Sequence, residues 1–364
     1  MSPDYSRQMQ LKEIGAAGQA RLARSRVLIV GLGGLGSPVI QYLAGAGIGT
    51  LGLVEADVLE ASNLHRQPIY PLAGVGTPKI ELARDFISRL NPDVRVEMHA
   101  VRLDADNALE LIRAHDLVID CSDNFFTKFL INDAAVLAAR PAIFASVYQY
   151  EGQLQVYRPR DSHACLRCLW PEATADGIVG NCAGAGVLGP VPGAFGALEA
   201  LLAIKVLLDL PGDLGGELLI LDGSSFTASR LKAPRRTECR APGCALIHSL
   251  SGAPGLPGAP EREREADLEL EVASWDVLAG LPFELIDVRT REEYAGHPSP
   301  GRLMPMAELL ADPGRLSANG AYLLLCASGK RSLATARELD RRGLKVRSVA
   351  GGLAALERSA SQVH

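Results

Sequence analysis

The sequence has no surplus of basic charge: 37 Lys and Arg stand against 42 Asp and Glu, for a net charge of −5. That excludes a bulk basic surface for nucleic acid. Cysteine is scarce and odd in number, seven in 364 residues. This is too few for a disulfide scaffold, and the odd count points to a reducing compartment. The segment Met1–Gly15 is polar and has no apolar leader-like run. The longest apolar stretch, Val187–Leu210, is broken by Pro190, Pro192, Glu199 and Lys205. It reads as a buried helix after a Gly/Pro loop, not as a membrane span. No internal repeat is present. The expectation is a cytoplasmic protein without a membrane or nucleic-acid partner. What the chain does have is core material: 48% apolar residues exclude a disordered chain. Its length suits two domains or so at ~150 residues each.

Composition breaks at residues 249–267, SLSGAPGLPGAPEREREAD, where Pro, Gly and charge replace hydrophobic periodicity. This reads as an exposed linker between a domain at 1–248 and a smaller one at 268–364. In the first part, Val27–Val30, Leu51–Val54 and Leu117–Ile119 are short apolar runs of the buried parallel-strand kind. They alternate with helical spacing at Ser37–Ala46 and Thr77–Leu90. That alternation predicts an α/β fold with a doubly wound, mostly parallel sheet. In the second part, Glu284–Val288 and Ala321–Cys326 read as strands and Arg331–Gly343 as a helix, giving a smaller α/β domain.

Gly31, Gly33, Gly34 and Gly36 fall in GLGGLG, which follows a strand and opens a helix. This is the G-x-G-x-x-G pattern in its required context, where bare backbone and a helix N-terminus receive phosphate. Glu55 ends the next strand and can accept hydrogen bonds from ribose hydroxyls. A nicotinamide-dependent enzyme would look the same to this point. Asp57, Asn63, Arg66, Gln67, Lys79 and Asp123 then gather at predicted strand ends. Two cations and a spare carboxylate suit a triphosphate with Mg²⁺; taken singly, each is an ordinary solvated side chain.

YSRQ (Tyr5–Gln8), VGLGGLGS (Val30–Ser37), SNLHRQ (Ser62–Gln67), GTPK (Gly76–Lys79) and CSDN (Cys121–Asn124) occur in this order. With them residues 1–248 resemble the E1-like adenylyltransferases of the MoeB/ThiF family. The resemblance implies ATP-dependent adenylation of the C-terminal glycine of a small ubiquitin-like sulfur carrier ending in Gly-Gly. It matches Arg7 to an arginine supplied by the partner subunit of a homodimer. It matches Asn63, Arg66 and Lys79 to nucleotide and phosphate contacts, and Asp123 to a Mg²⁺ ligand. Glu55 departs from the family's usual aspartate by one methylene and keeps the acceptor. An acyl adenylate needs alignment and charge neutralisation rather than a general base, because the attacking carboxylate is already ionised. The lack of an obvious Ser/His/Asp set is consistent with that.

Cys165 and Cys168 form a C-x-x-C, and Cys239 and Cys244 enclose four residues. Two thiol pairs suit a tetrahedral structural Zn²⁺, with His163 and His248 near enough in sequence to substitute. A redox C-x-x-C or unliganded thiols is the alternative. The resemblance implies the zinc site, although the family commonly has C-x-x-C in both halves. Cys182, in a glycine-rich stretch, matches the family's crossover-loop cysteine that links covalently to the carrier. Cys121 ends a buried strand and reads as a core residue.

Cys326–Ser332 (CASGKRS) follows an apolar strand and precedes a helix. Such a loop forms an anion nest, so Cys326 with Gly329, Lys330, Arg331 and Ser332 suits a thiolate or persulfide. Together with Ile286–Arg289, Glu293-Tyr294, Gly296-His297 and Gly351-Gly352, this segment resembles a rhodanese over about 270–357. The resemblance implies a Cys326 persulfide and a loop shaped by Arg331. Asp287 and Arg289 read as a structural ion pair, and 296–301 is one residue longer than usual. Jointly, one domain activates a carrier carboxylate and the other brings sulfur from a cysteine desulfurase or thiosulfate. The tether raises the effective concentration of Cys326 at the adenylate. Molybdopterin synthesis is the favoured pathway. Thiamine, tRNA-thiolation and thiocarboxylate natural-product or siderophore pathways stay open. A nucleotide-dependent oxidoreductase is the remote alternative, and a non-catalytic scaffold is disfavoured by the intact Arg66, Lys79 and Asp123.

Overall fold

The structure is a computed structural model. It describes residues 3–159, 163–170, 186–237, 239, 244, 247, 249–250, 268–272, 274–317 and 320–361. The chain divides into two compact units, one holding everything described up to Leu250 and the other everything from Leu268. Of the expected linker, only Ser249 and Leu250 lie within the described residues.

The first unit is built on one eight-stranded sheet. Its strands are β1 (Arg26–Val30), β2 (Thr50–Val54), β3 (Arg95–His99), β4 (Leu117–Asp120), β5 (Ala142–Tyr148), β6 (Glu151–Tyr157), β7 (Glu217–Asp222) and β8 (Thr227–Lys232). Their order is β3-β2-β1-β4-β5-β6-β7-β8. Pairing is parallel from β3 to β5 and antiparallel from β5 to β8. The mostly parallel expectation is therefore met, with an antiparallel extension added on one side.

The chain moves outward from β1 in both directions, through β2 and β3 on one side and β4 and β5 on the other. Strand order thus reverses between β1 and β4, which opens a crevice at their carboxyl ends. Burial explains why the strands read as continuous apolar runs. Val27 and Ile29 pack on one face with Val39, Leu43 and Val206, while Leu28 and Val30 pack on the other with Ile112 and Leu130.

The helix Gly36–Gly45 follows β1, and the helix Lys79–Leu90 stops where Asn91-Pro92 takes extended backbone. The helix Pro190–Leu208 starts with proline in its first turn, where a missing N–H costs nothing. By length and composition it is the one described helix apolar enough to cross a membrane. Here Phe195, Ala203 and Val206 put it in the core of this unit.

The second unit has a five-stranded parallel sheet, ordered β11-β10-β12-β13-β9. Its strands are β9 (Glu269–Leu270), β10 (Glu284–Asp287), β11 (Arg302–Leu303), β12 (Ala321–Leu325) and β13 (Lys345–Val349). It has its own apolar clusters on the two faces, one around Ile286, Leu324 and Leu339 and one around Leu323, Val349 and Leu356.

Candidate functional site

In the first unit, the glycine loop after β1 and the turn after β4 are built against each other. Gly31 has φ +90, and a Cβ there would meet the Cys121 carbonyl oxygen at 2.7 Å. A Cβ on Gly36 would strike the Gly31 carbonyl. These two glycines are demanded by the loop's own close packing, whereas Gly33 and Gly34 face Gln67, Arg66 and Pro192. The Gln67 side chain is buried, and its Oε1 has no partner among the described residues. An orphaned buried acceptor beside a side-chain-free loop fits a ligand hydroxyl or an ordered water.

Glu55 does more than the sequence reading gave it. One carboxylate oxygen accepts the Leu32 N–H at 2.9 Å; the other accepts those of Ala56 and Asp57 at 2.9 and 3.0 Å. It ties the glycine loop to the segment carrying Asp57. Asp57 in turn lies 3.7 Å from the Lys79 ammonium, and its carbonyl accepts the Lys79 N–H at 3.0 Å. Lys79 is buried along its stem while Asp57 is exposed. The Tyr70 hydroxyl donates to the Leu32 carbonyl at 2.8 Å; burial and the Glu55 charge push this phenol up. Asn63 is buried and accepts the Glu60 N–H at 3.2 Å, closing a capping box on its own short turn. Arg66 is folded over that turn, donating to the Ser62 carbonyl at 3.0 Å.

Asp123 is exposed on the turn after β4. Its neighbour across the turn, Asp120, is buried and paired with the Lys128 ammonium. No such pairing involves Asp123 among the described residues, so its carboxylate is the uncompensated anion of the turn. That donor, a hard oxygen, fits a divalent cation of the Mg²⁺ class.

Arg7 is not part of this cluster. Tyr5 and Gln8 fix its short helix at the far end of the helix Gly36–Gly45, through Asn91 Nδ2 to the Tyr5 hydroxyl at 2.8 Å and Gln8 Nε2 to the Ala46 carbonyl at 2.9 Å. Ten helical residues separate that end from the glycine loop, about 15 Å at ~1.5 Å each. The structure joins Gly31–Gly36, Glu55, Asp57, Arg66, Gln67, Lys79 and Asp123, and leaves Arg7 apart.

Sequence reasoning missed Lys128 and Glu199. Glu199 is wholly buried on the helix Pro190–Leu208, within 3.7 Å of the Cys121 thiol. Burial, then the nearby Asp120 charge, pushes its carboxyl up. Cys121 is a core thiol, as read, also pushed up by burial. An acid inside an apolar helix was the visible signal for Glu199; nothing local marked Lys128.

The four expected metal-binding cysteines converge and none is disulfide-bonded. Cys165 and Cys168 sulfurs lie 3.8 Å apart, those of Cys239 and Cys244 2.8 Å apart, and Cys165, Cys168 and Cys239 share one potential metal centre. For Zn–S near ~2.3 Å a tetrahedral edge is about 3.8 Å, so the first pair already has that span. Hydrogen bonding from Cys165 holds the Cys168 thiol below its ordinary range. Cys239 and Cys244, despite their wider spacing, thus meet the C-x-x-C. His163 lies instead against Gly215, and His248 and Cys182 fall outside the described residues. One equivalent of zinc is expected on elemental analysis, and its removal by chelator is expected to lower the melting temperature of the first unit.

This knuckle is bolted to the helix Phe125–Ala138. Arg167, between the two cysteines, is wholly buried and donates to Asp133 at 2.7 and 2.6 Å, with its guanidinium over the Phe129 ring at 5.1 Å. Asn132 accepts the Leu166 N–H at 2.7 Å.

In the second unit Cys326 follows β12 and is wholly buried. Its sulfur accepts from the Ser332 N–H at 3.3 Å and the Ser332 hydroxyl at 3.4 Å. Gly329 has φ +83, and a Cβ there would meet the Gly351 nitrogen at 2.7 Å. The loop is thus pressed against Gly351-Gly352. Lys330 is exposed. Arg331 grips Glu293 bidentately at 2.8 and 2.6 Å. Asp287 and Arg289 form the expected buried ion pair at 2.7 Å.

The Arg331 hydrogen bonds hold Glu293 down at about 2. An unfolded Glu titrates near ~4.3, so between these values the unfolded chain binds the extra proton. The contribution to stability is full above about pH 4.3 and is lost as pH falls through about 2. Glu293→Gln is expected to flatten that acid limb of the second unit's stability without altering it on further rise above neutrality. Denaturation midpoints compared between pH 3 and 7 test this; identical pH slopes in both proteins would refute it.

Residues 5–241 match the model of the ThiF family. The chain is 47% identical to the "Sulfur carrier protein adenylyltransferase" of Thermus thermophilus, covering 65% of this chain and 88% of that one. It is 36% identical to the "Adenylyltransferase and sulfurtransferase MOCS3" of Aedes aegypti, covering 96% of this chain and 85% of the other. Among solved structures, E. coli MccB superposes with a TM-score of 0.58 at 22% identity, over 66% of this chain and 72% of that one, a likeness of fold.

Proposed function

The chain belongs to the ThiF family, and from that premise we propose a two-step enzyme that activates and then thiolates a ubiquitin-like sulfur carrier ending in Gly-Gly. The protein is an adenylyltransferase and sulfurtransferase of the E1-like class. The observation that carries the reading is the connected set at the switch point: Glu55 joins the glycine loop to Asp57 and Lys79, while Cys121 joins it to the Asp123 turn.

In the first step the carrier carboxylate attacks the α-phosphorus of ATP, the bond to the β-phosphate oxygen breaks, and pyrophosphate leaves. Lys79 and Arg66 neutralise the phosphates, Gln67 offers its free acceptor to the nucleotide, and the glycine-loop backbone receives phosphate oxygens. Asp123 would hold Mg²⁺, which supplies further charge neutralisation. Arg7 lies remote from its own site, which supports a homodimer in which each Arg7 serves the other protomer's phosphates. The four cysteines would hold Zn²⁺ as a structural clamp on the knuckle.

In the second step a Cys326 persulfide, charged by thiosulfate or a cysteine desulfurase, attacks the acyl carbon and displaces AMP. The product is a carrier acyl disulfide on Cys326. A thiol, Cys182 or an external one, then attacks the Cys326 sulfur, forms a new disulfide with it and releases the carrier thiocarboxylate. Molybdopterin synthesis is the pathway proposed to consume it, by family resemblance. The reading places the enzyme in the reducing cytoplasm, where that new disulfide is recycled.

Incubation with ATP, Mg²⁺, thiosulfate and a Gly-Gly-terminated carrier tests this. Mass spectrometry is expected to show one sulfur replacing one oxygen on the carrier, with AMP and pyrophosphate released. ATP left intact in the presence of the carrier would refute adenylation, and an adenylated carrier that never gains sulfur would refute the second step.

A further inference from the structure

Two aspartates bracket the turn after β4, and they are treated in opposite ways. Asp123 is exposed and uncompensated; Asp120 is wholly buried. Lys128, near the start of the helix Phe125–Ala138, is buried with its ammonium on Asp120 Oδ2. The same ammonium donates to the Ala145 carbonyl on β5 at 2.6 Å. The other Asp120 oxygen accepts from the Ser122 N–H at 3.1 Å and the Ser122 hydroxyl at 2.5 Å. One ion pair therefore holds four pieces together: the end of β4, the turn, the helix and the neighbouring strand.

Asp123 sits between two anchored residues. Ser122 is tied back to Asp120, and Asn124 caps the helix by accepting the Thr127 N–H at 2.8 Å. The turn also carries the Cys121 carbonyl that packs on Gly31. Neither Lys128 nor Asp120 presents a surface to a nucleotide, since their side chains are 8% and 0% exposed. An apolar pair would fill the same space and leave Ser122 without its double acceptor, so the turn would lose its direction.

We propose that Lys128 is a positioning residue: through Asp120 and Ser122 it sets where Asp123 presents its carboxylate to metal-bound ATP. This rests on the adenylation reading above. A ligand's supporting shell governs metal affinity by about ten- to a hundredfold, because a displaced carboxylate cannot keep its coordination geometry.

The test uses the full chain and calorimetry of ATP binding, once with Mg²⁺ and once with a chelator. Mn²⁺ electron paramagnetic resonance of the ATP complex serves as a second readout. Lys128→Met is expected to lower the Mg²⁺-dependent gain in ATP affinity by about tenfold, leave metal-free ATP affinity unchanged, and alter the Mn²⁺ spectrum. Lys128→Arg, which keeps donors for both the carboxylate and the carbonyl, is expected to restore the gain.

An unchanged gain in a folded Lys128→Met protein would overturn the proposal. So would equal loss of both affinities, which marks a merely structural role. Should Lys128→Met fail to fold, Ser122→Ala keeps the ion pair and removes the hydroxyl tie; it is expected to reduce the gain severalfold, and no reduction would overturn the idea. A wild-type chain that binds no ATP at all would instead sink the adenylation reading, a result distinct from any variant's.

Discussion

Cys326→Ala is expected to abolish thiosulfate-driven formation of the carrier thiocarboxylate while leaving adenylation intact. Removing the atom that carries the transferred group takes away a covalent step, so the loss should be on the order of a thousandfold or more. The second unit contains no other cysteine from residue 257 onward, so no neighbour can substitute. The sulfur is held by the Ser332 N–H and hydroxyl inside a loop whose own carbonyl accepts the Leu353 N–H at 2.9 Å. Deleting one sulfur there leaves the loop's backbone bonds in place. The two units have separate apolar cores, so ATP turnover to the acyl adenylate should stay within about twofold, as for independent sites. Mass spectrometry of the carrier and pyrophosphate release, measured on one preparation, separate the two activities. Full thiolation by Cys326→Ala with thiosulfate as sole donor would remove the sulfur-carrying role from this residue.

Asp133→Ala should be the most damaging single change in the first unit. Arg167 and Asp133 are both wholly buried and bound bidentately. Burial pushes the Asp133 carboxyl up while Arg167 pulls it back, so the pair is balanced rather than generous. Truncating the acid strands a guanidinium in the core. Breaking a buried pair in this way costs about 3–5 kcal/mol, which in a unit of this size lowers the melting temperature by about 10 °C. Zinc should also be lost more readily, because Arg167 lies between Cys165 and Cys168 and hangs their turn on the helix Phe125–Ala138. The double replacement Asp133→Leu with Arg167→Met removes both charges and is expected to recover much of the loss. Calorimetric scans with parallel zinc analysis decide it; a single variant as stable as the double would show that the pair carries no such burden.

Much of the adenylation site was legible because its parts are local. A glycine loop between a strand and a helix, a carboxylate ending the next strand, and polar residues at strand ends all follow from the chain's own neighbours. The strands β1, β2 and β4 were legible for the same reason: buried on both faces, they are short runs of Val, Ile and Leu. β8 was not, because all six of its residues are exposed and no alternation marks it. β6, with Gln153 and Gln155 among its residues, was equally hidden until its partners β5 and β7 were placed.

The amino-acid sequence by itself determined the two α/β units, the glycine loop, the Cys326 loop and the pairing of the cysteines into two spaced sets. Each depends on spacing along the chain and on side-chain type. Tertiary structure alone decided the rest. It gave Glu55 to the glycine loop's backbone, paired Asp120 with Lys128 and left Asp123 free, and set Arg7 beyond the far end of the helix Gly36–Gly45. It also brought Cys239 and Cys244 onto the C-x-x-C. These outcomes turn on which charges are buried together, and partners such as Arg167 and Asp133, 34 residues apart, meet only once the sheet and its helices have packed.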